Sequence, residues 1–304
     1  MKKIYIDGEA GTTGLNIRER LENRNDIEIL KIDAELRKDV QERKKLLNAA
    51  DFVFLCLPDD AAREAVSLIE NDNTRVIDAS TAHRTNPEWT YGFPELSTAQ
   101  EEKIRNSKRV AVPGCYAGGF VSLVYPLVKA GIIPRVYSVY CHAISGYSGG
   151  GKATITEYEA ENRNLELESA RLYALSQQHK HLPEMQKLSG LDFPPMFNPI
   201  IDDFYSGMVV CVPLQTRTLP KKFTAEEIIS VYKEHYNNPN GRVKIIGRYD
   251  DNFLAANALS KTDGLEIFVN SDPENERILL TARLDNLGKG ASGAAVQCFE
   301  IMKT

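Results

Sequence analysis

No apolar run in this 304-residue chain approaches the roughly 20 residues of a membrane span, and its first residues, "MKKIYIDGEAG", lack the apolar core of a signal peptide. A basic excess is missing as well. The 37 Lys and Arg against 42 Asp and Glu leave a net charge of -5, which argues against a nucleic-acid-binding surface and against a membrane partner. Cysteine is sparse, with five residues, widely spaced and without a Cys-x-x-Cys pair. That pattern indicates neither a disulfide framework nor a zinc site, and it suits reduced thiols in a cytoplasmic protein. Internal repeats and low-complexity linkers are absent. What remains is an ordinary globular composition, 42% hydrophobic and 26% charged, in a chain long enough for two cores.

The first third alternates short apolar runs with helix-forming segments. "KKIYID", "IEILKI", "DFVFLCL", "RVIDAS" and "RVAVPG" read as strands covered on both faces, separated by amphipathic stretches such as "LNIRERLENR". Alternation of this kind predicts an α/β fold with a Rossmann-type doubly wound parallel sheet, which takes its ligands beyond the carboxyl ends of the strands. From Tyr116 onward the apolar runs lengthen and partly alternate, which predicts an α+β catalytic domain with a mostly antiparallel sheet. A single long helix is expected over 152–178, and the segment after Asp285 reads as a helix that returns to the first domain. The expected division is therefore 1–115 for the dinucleotide-binding domain, completed by 286–304, and 116–285 for the second.

"IYIDGEAGTTGLNIRERL" places Gly8, Gly11 and Gly14 between a strand and a helix. Glycines there permit a tight turn, and the helix N-terminus presents amides and a positive dipole to a pyrophosphate, with Thr12 and Thr13 adding hydroxyls. Asp33 ends the second strand, where an acid would take a ribose hydroxyl of NAD. Arg37 follows closely and would instead receive the 2′-phosphate of NADP, so the residues leave the two cofactors open. Ser80 and Arg84 lie in "DASTAHR" at another strand end, one a cofactor candidate and the other a candidate for the substrate's anionic groups. "LDNLGKGASGAAVQ" is a second glycine-rich helix entry, with Asn286, Gly288 and Lys289 as cofactor contacts or as small residues for close packing.

Cys115 in "VPGCYAGG" would begin a helix directly after the last parallel strand. A helix N-terminus stabilises a thiolate, the reactive form, and the flanking glycines leave room for a carbonyl, so Cys115 is the candidate nucleophile. Cys56, Cys141, Cys211 and Cys298 lie in apolar strands or the last helix and read as core. "QQHKHLPEM" offers His179 and His181 on an extended segment ahead of a helix begun by Pro183; His181 is first choice for acid/base work and His179 second. No third ligand accompanies them, so no metal site is expected. Glu184 is placed to orient an imidazole, to satisfy the helix N-terminus or to contact substrate. "SGYSGGGKATIT" nearly matches a phosphate loop, but Ala153 stands where the magnesium-binding hydroxyl belongs. Ser145 and Lys152 in this loop, with Arg217, are candidate contacts for an anionic substrate.

Taken in order, "DGEAGTTGLNIRERL", "LCLPDDAA", "DASTAHR", "VPGCYAGG", "SGYSGGGK", "HKHLPEM" and "LDNLGKGASGAAVQ" resemble the N-acetyl-gamma-glutamyl-phosphate reductase family in its shorter form, within the aspartate-semialdehyde dehydrogenase-like group. The resemblance runs end to end. It implies NADP(H) as cofactor, Cys115 as nucleophile, a histidine as acid/base, and an acyl-phosphate substrate reduced to a semialdehyde through a thioester. It also implies a homodimer or homotetramer. A reductase of aspartyl or N-acetyl-aminoadipyl phosphate is the nearest competing reading, and a non-catalytic dinucleotide sensor a remoter one.

Overall fold

The computed structural model describes residues 1–304. The chain divides into two compact units, one of residues 1–94, 99–113 and 291–304, the other of residues 95–98 and 114–290. Gly114 and Cys115 thus fall in the second unit, as do residues 286–290, so the division lies a few residues from the expected ones.

The first unit carries strands β1 (Lys2–Asp7), β2 (Ile27–Leu30), β3 (Phe52–Leu55), β4 (Arg75–Asp78), β5 (Thr90–Tyr91) and β6 (Arg109–Ala111). They form one sheet in the order β2-β1-β3-β4-β6-β5, parallel at every pairing. Helices α1 (Thr12–Leu21), α2 (Val40–Ala49), α3 (Asp59–Ser67) and α4 (Thr98–Asn106) intervene in sequence. Because successive side chains point to opposite faces, β1 sends Ile4 and Ile6 to one core and Tyr5 to another. The first core includes Ala295, Cys298, Phe299 and Met302 of the C-terminal helix, Gly293–Lys303. Phe299 is fully buried and meets Phe52 edge-on at 5.0 Å. Burying a side chain of that size contributes about 2–3 kcal/mol. The predicted return of the last helix to the first unit is therefore a packing fact.

In the second unit come α5 (Cys115–Lys129), β7 (Tyr140–Gly146), α6 (Lys152–Tyr158), β8 (Arg171–Leu172), α7 (Leu182–Ser189), β9 (Met196–Asp202), β10 (Met208–Gln215), α8 (Ala225–His235), β11 (Val243–Gly247), β12 (Leu265–Ser271) and β13 (Arg277–Leu284). The sheet runs β11-β12-β13-β10-β7-β9-β8. It is mixed: β7–β9 and β11–β12 are parallel and the other pairings antiparallel. Helix α5 lies against β10 and β13 at a glycine, since a Cβ on Gly119 would sit 2.7 Å from Val210. Tyr232 and Tyr236, at the end of α8, donate to the carbonyls of Leu123 and Ser122 on α5. On the opposite face of the sheet β7 alternates exposed and buried, leaving Tyr140, Ile144, Met196 and Leu279 exposed.

The long helix expected over 152–178 stops at Tyr158. Asn164 caps a short turn over 165–168 by accepting from Glu166 N, and Arg163 ties the loop to Asp203. Asparagine favours such turns over helix interiors, which overrides the apolar periodicity.

His235 ends α8, and burial, with the positive charge of Lys129 added, pulls its pKa down to about 4. Its Nε2 is buried without a hydrogen-bond partner. A base whose folded pKa lies below its unfolded value of about 6.5 binds more protons unfolded, so stability rises with pH between these values. We expect stability to fall as pH drops from about 6.5 towards 4, and urea titrations of His235→Gln across that range to show a shallower slope.

Candidate active site

Cys115 opens α5 behind Gly114, the N-cap residue, whose backbone is extended. The thiol is only partly buried, and the four first-turn amides of α5 have no partner within the helix, a setting that favours thiolate. The other cysteines differ. Burial raises the pKa of Cys56, Cys141 and Cys211, and Cys298 is buried with its thiol donating to Gly92 O. The backbone passes close over Cys115 at Gly290, where a Cβ would lie 2.7 Å from that of Cys115.

The histidines reach this region by a turn, not the extended segment expected. His181 is the N-cap of α7 with helical φ and ψ of -85° and -12°, Leu182 N donates to His179 O, and Pro183 sits in the first turn. His179 Nδ1 accepts from His181 N at 3.1 Å, and the two rings are 4.7 Å apart at 79°. Tyr116, the residue after the nucleophile, has its ring 6.0 Å from each histidine and 5.3 Å from Phe197. Burial holds its phenol well above the usual range, with Tyr173 and the thiol of Cys115 adding to the effect. Tyr116 stood in the quoted motif yet carried no signal of its own. Tyr173 was hidden in the expected helix, and Phe197 had no local marker.

Glu184 is 1% exposed and accepts from the amide of Gly114 at 2.8 Å. It therefore organises the loop that carries Cys115. Ser145 is buried at the end of β7, below the turn over 147–150. Asn286 holds that turn: its amide donates to Ser148 Oγ and its carbonyl accepts from Gly207 N. Gly288 is required by packing, since a Cβ there would meet Thr262 O at 1.9 Å. Asn286 and Gly288, the expected cofactor contacts, thus also have scaffold roles. Lys152 is exposed at the start of α6. Ser145 pairs with Met208 at one end of β10, and Arg217 lies in the turn beyond Gln215 at the other end, which the strand's rise sets about 23 Å away.

In the first unit Gly8 has φ +90°, and a Cβ there would meet Cys56 O at 2.3 Å; one on Gly14 would meet Gly8 O at 2.5 Å. No side chain caps α1 at Gly11, so the amides around Thr12 and Thr13 open onto a glycine-lined cradle that fits a pyrophosphate. Asp33 spends its carboxylate on Glu35 N, and Arg37 is exposed beside it. Ser80, an expected cofactor contact, donates its Oγ to the buried Asp78, which also takes His83 Nδ1 at 2.6 Å. Arg84 donates to Ala79 O and Val112 O.

Comparison with known proteins finds two matching family models along the chain. Residues 3–106 match the semialdehyde dehydrogenase NAD binding domain, and 115–286 match the semialdehyde dehydrogenase dimerisation domain. The N-acetyl-gamma-glutamyl-phosphate reductase of Trichormus variabilis is 46% identical over 99% of this chain and 96% of its own length. N-acetyl-gamma-glutamyl-phosphate reductase 2 of Pseudomonas putida is 45% identical over 98% and 96%. The chain belongs to the N-acetyl-gamma-glutamyl-phosphate reductase family. Among solved structures, aspartate semialdehyde dehydrogenase from Francisella tularensis shares the fold at a TM-score of 0.75 and 17% identity, with both chains covered in full. The Candida albicans aspartate semialdehyde dehydrogenase with NADP aligns at 0.70 and 14%, covering 100% of this chain and 98% of its own.

Within this reductase-family chain Lys289, an expected cofactor contact, is engaged with a buried carboxylate. Its ammonium is 2.7 Å from both oxygens of Glu95, with both side chains buried. Removing one member of a buried pair strands the other charge, at a cost of about 3–5 kcal/mol. Lys289→Met should lower unfolding free energy by about that amount in urea titrations, and Glu95→Gln added to it should restore most of the loss.

Proposed function

We propose that the chain catalyses NADPH-dependent reduction of N-acetyl-L-glutamyl 5-phosphate to N-acetyl-L-glutamate 5-semialdehyde and phosphate, a step of arginine biosynthesis. The observation that carries this reading is Cys115 at the start of α5 with His179 and His181 gathered about its neighbour Tyr116, in a chain 46% identical end to end to a reductase named for that substrate. The Cys115 thiolate attacks the acyl phosphate, the carbon–oxygen bond to phosphate breaks, and phosphate leaves with the electron pair, giving a thioester. First-turn amides of α5 serve the oxyanion. The glycine loop with Thr12 and Thr13 would hold NADPH, whose chemistry when bound would be that of a hydride donor for reduction of the thioester. The thiohemiacetal then releases aldehyde as Cys115 leaves, with a histidine moving the proton.

His181 is the acid/base in this reading. His179 Nδ1 already accepts a backbone hydrogen bond, so the neutral ring carries its proton on Nε2 and acts as a donor that binds or orients substrate. The glycine loop, with Thr12 and Thr13, holds the pyrophosphate, and exposed Arg37 supports NADP over NAD because Asp33 is turned to its own loop. Lys152 and Arg84 are the cations assigned to the substrate's anionic groups. A nucleophilic thiol must stay reduced, which assigns the enzyme to the cytoplasm.

Mass spectrometry with acyl phosphate and no NADPH should find an acyl adduct on Cys115; label on another cysteine would refute the assignment. His181→Asn should lower kcat by about 10²-fold or more and lose a limb of its pH profile. His179→Asn should chiefly raise KM. NADPH oxidation with aspartyl, N-acetylglutamyl and N-acetyl-aminoadipyl phosphates decides chain length.

The open face of the second sheet, with Tyr140, Ile144, Met196 and Leu279 exposed, is the proposed interface with a second copy. Sedimentation velocity should show an oligomer for the native chain and a monomer for Ile144→Lys.

A further inference from the structure

The groups that form and break bonds or move protons in acyl transfer, in this reading, belong to one compact unit. Cys115, the two histidines, Tyr116 and Glu184 all lie within residues 114–290, and the glycine loop lies in the other unit. The groups are also tied to one another inside it. Glu184 fixes the amide before the nucleophile at 2.8 Å, His181 N is held on His179 Nδ1 at 3.1 Å, and Tyr116 stands 6.0 Å from both rings. Cys115 itself is only partly buried, unlike Cys141 and Cys298.

From this arrangement we propose a second activity, the hydrolysis of activated carboxylic esters without any nucleotide. Cys115 Sγ bonds to the ester carbonyl carbon, the carbon–oxygen bond to the leaving group breaks, and the aryloxide departs with the electron pair. His181 then takes a proton from water as the water oxygen bonds to the thioester carbon. The carbon–sulfur bond breaks, the proton returns to sulfur, and a carboxylic acid leaves. Ester and water give acid and alcohol, and no electron is transferred, so the hydride donor has no part in the cycle. The substrate class is an ester with a good leaving group and a small acyl portion. The inference rests on Cys115 as the nucleophile of the proposed reductase.

The test is release of p-nitrophenolate from p-nitrophenyl acetate by the full chain with no nucleotide present. The expected course is a burst of about one equivalent per chain, an acetyl group on Cys115 by peptide mapping, and continued turnover. Cys115→Ser should abolish both phases, and iodoacetamide treatment of the folded native chain should do the same, which covers a variant that fails to fold. His181→Asn should slow turnover by about 10²-fold. A burst without turnover, turnover that survives alkylation, or release that requires NADP would each overturn the proposal. NADPH oxidation with the acyl phosphate is measured on the same preparation. Reduction without ester turnover sinks the esterase alone, and ester turnover without reduction of any acyl phosphate sinks the reductase reading instead.

Discussion

One hydrogen bond joins the segment of Cys115 to the helix that follows the two candidate histidines. The amide of Gly114 donates to Glu184, which is buried in the first turn of α7. A carboxylate there sits at the positive ends of two helices, its own and α5, and satisfies an amide that would otherwise be buried beside the nucleophile. The contact fixes where α5 begins, and so where Cys115 points. It also anchors α7, whose N-cap is His181. Separated by 66 positions in sequence, Cys115 and His181 are held in one neighbourhood by a carboxylate that takes no part in bond making.

Close backbone approach is the second constraint, and glycine meets it in both units. Gly119 lets α5 descend onto β10, and Gly290 lets the chain cross Cys115. Gly8 and Gly14 fold the first loop onto Cys56 and onto itself. The same residue type therefore shapes a cradle in one unit and a helix seat in the other. A motif of glycines does not by itself say which, because the requirement is set by what approaches from elsewhere in the chain.

Much of this was legible in the residues. The parallel sheet followed from continuous apolar runs, and Cys115 stood out because a strand, two glycines and a helix start coincide there. The short helix α6 was not legible, since Asn164 and the Arg163–Asp203 pair act across a loop whose apolar spacing still reads as helical. The place of Arg217 in the fold was not legible for a different reason. Its charge is visible in the sequence, but its position at the far end of β10 depends on register. Glu95 could not be foreseen as the partner of Lys289, because 194 residues separate them.

The polar residues that looked like ligand contacts share a fate with a physical cause. Ser80 bonds Asp78, Asn286 bridges Gly207 and Ser148, Lys289 meets Glu95, and Glu184 meets Gly114. Loops at strand ends must expose backbone amides to bind anions, and amides without regular secondary structure need side chains to hold them in place. Buried polar groups supply that rigidity because each is satisfied within the protein. The division of labour follows. Buried side chains build the loops, and main-chain amides with a few exposed cations such as Lys152 and Arg37 are what remain to meet a phosphate. A substitution among the builders therefore acts on binding through loop geometry, which separates it from loss of a direct contact.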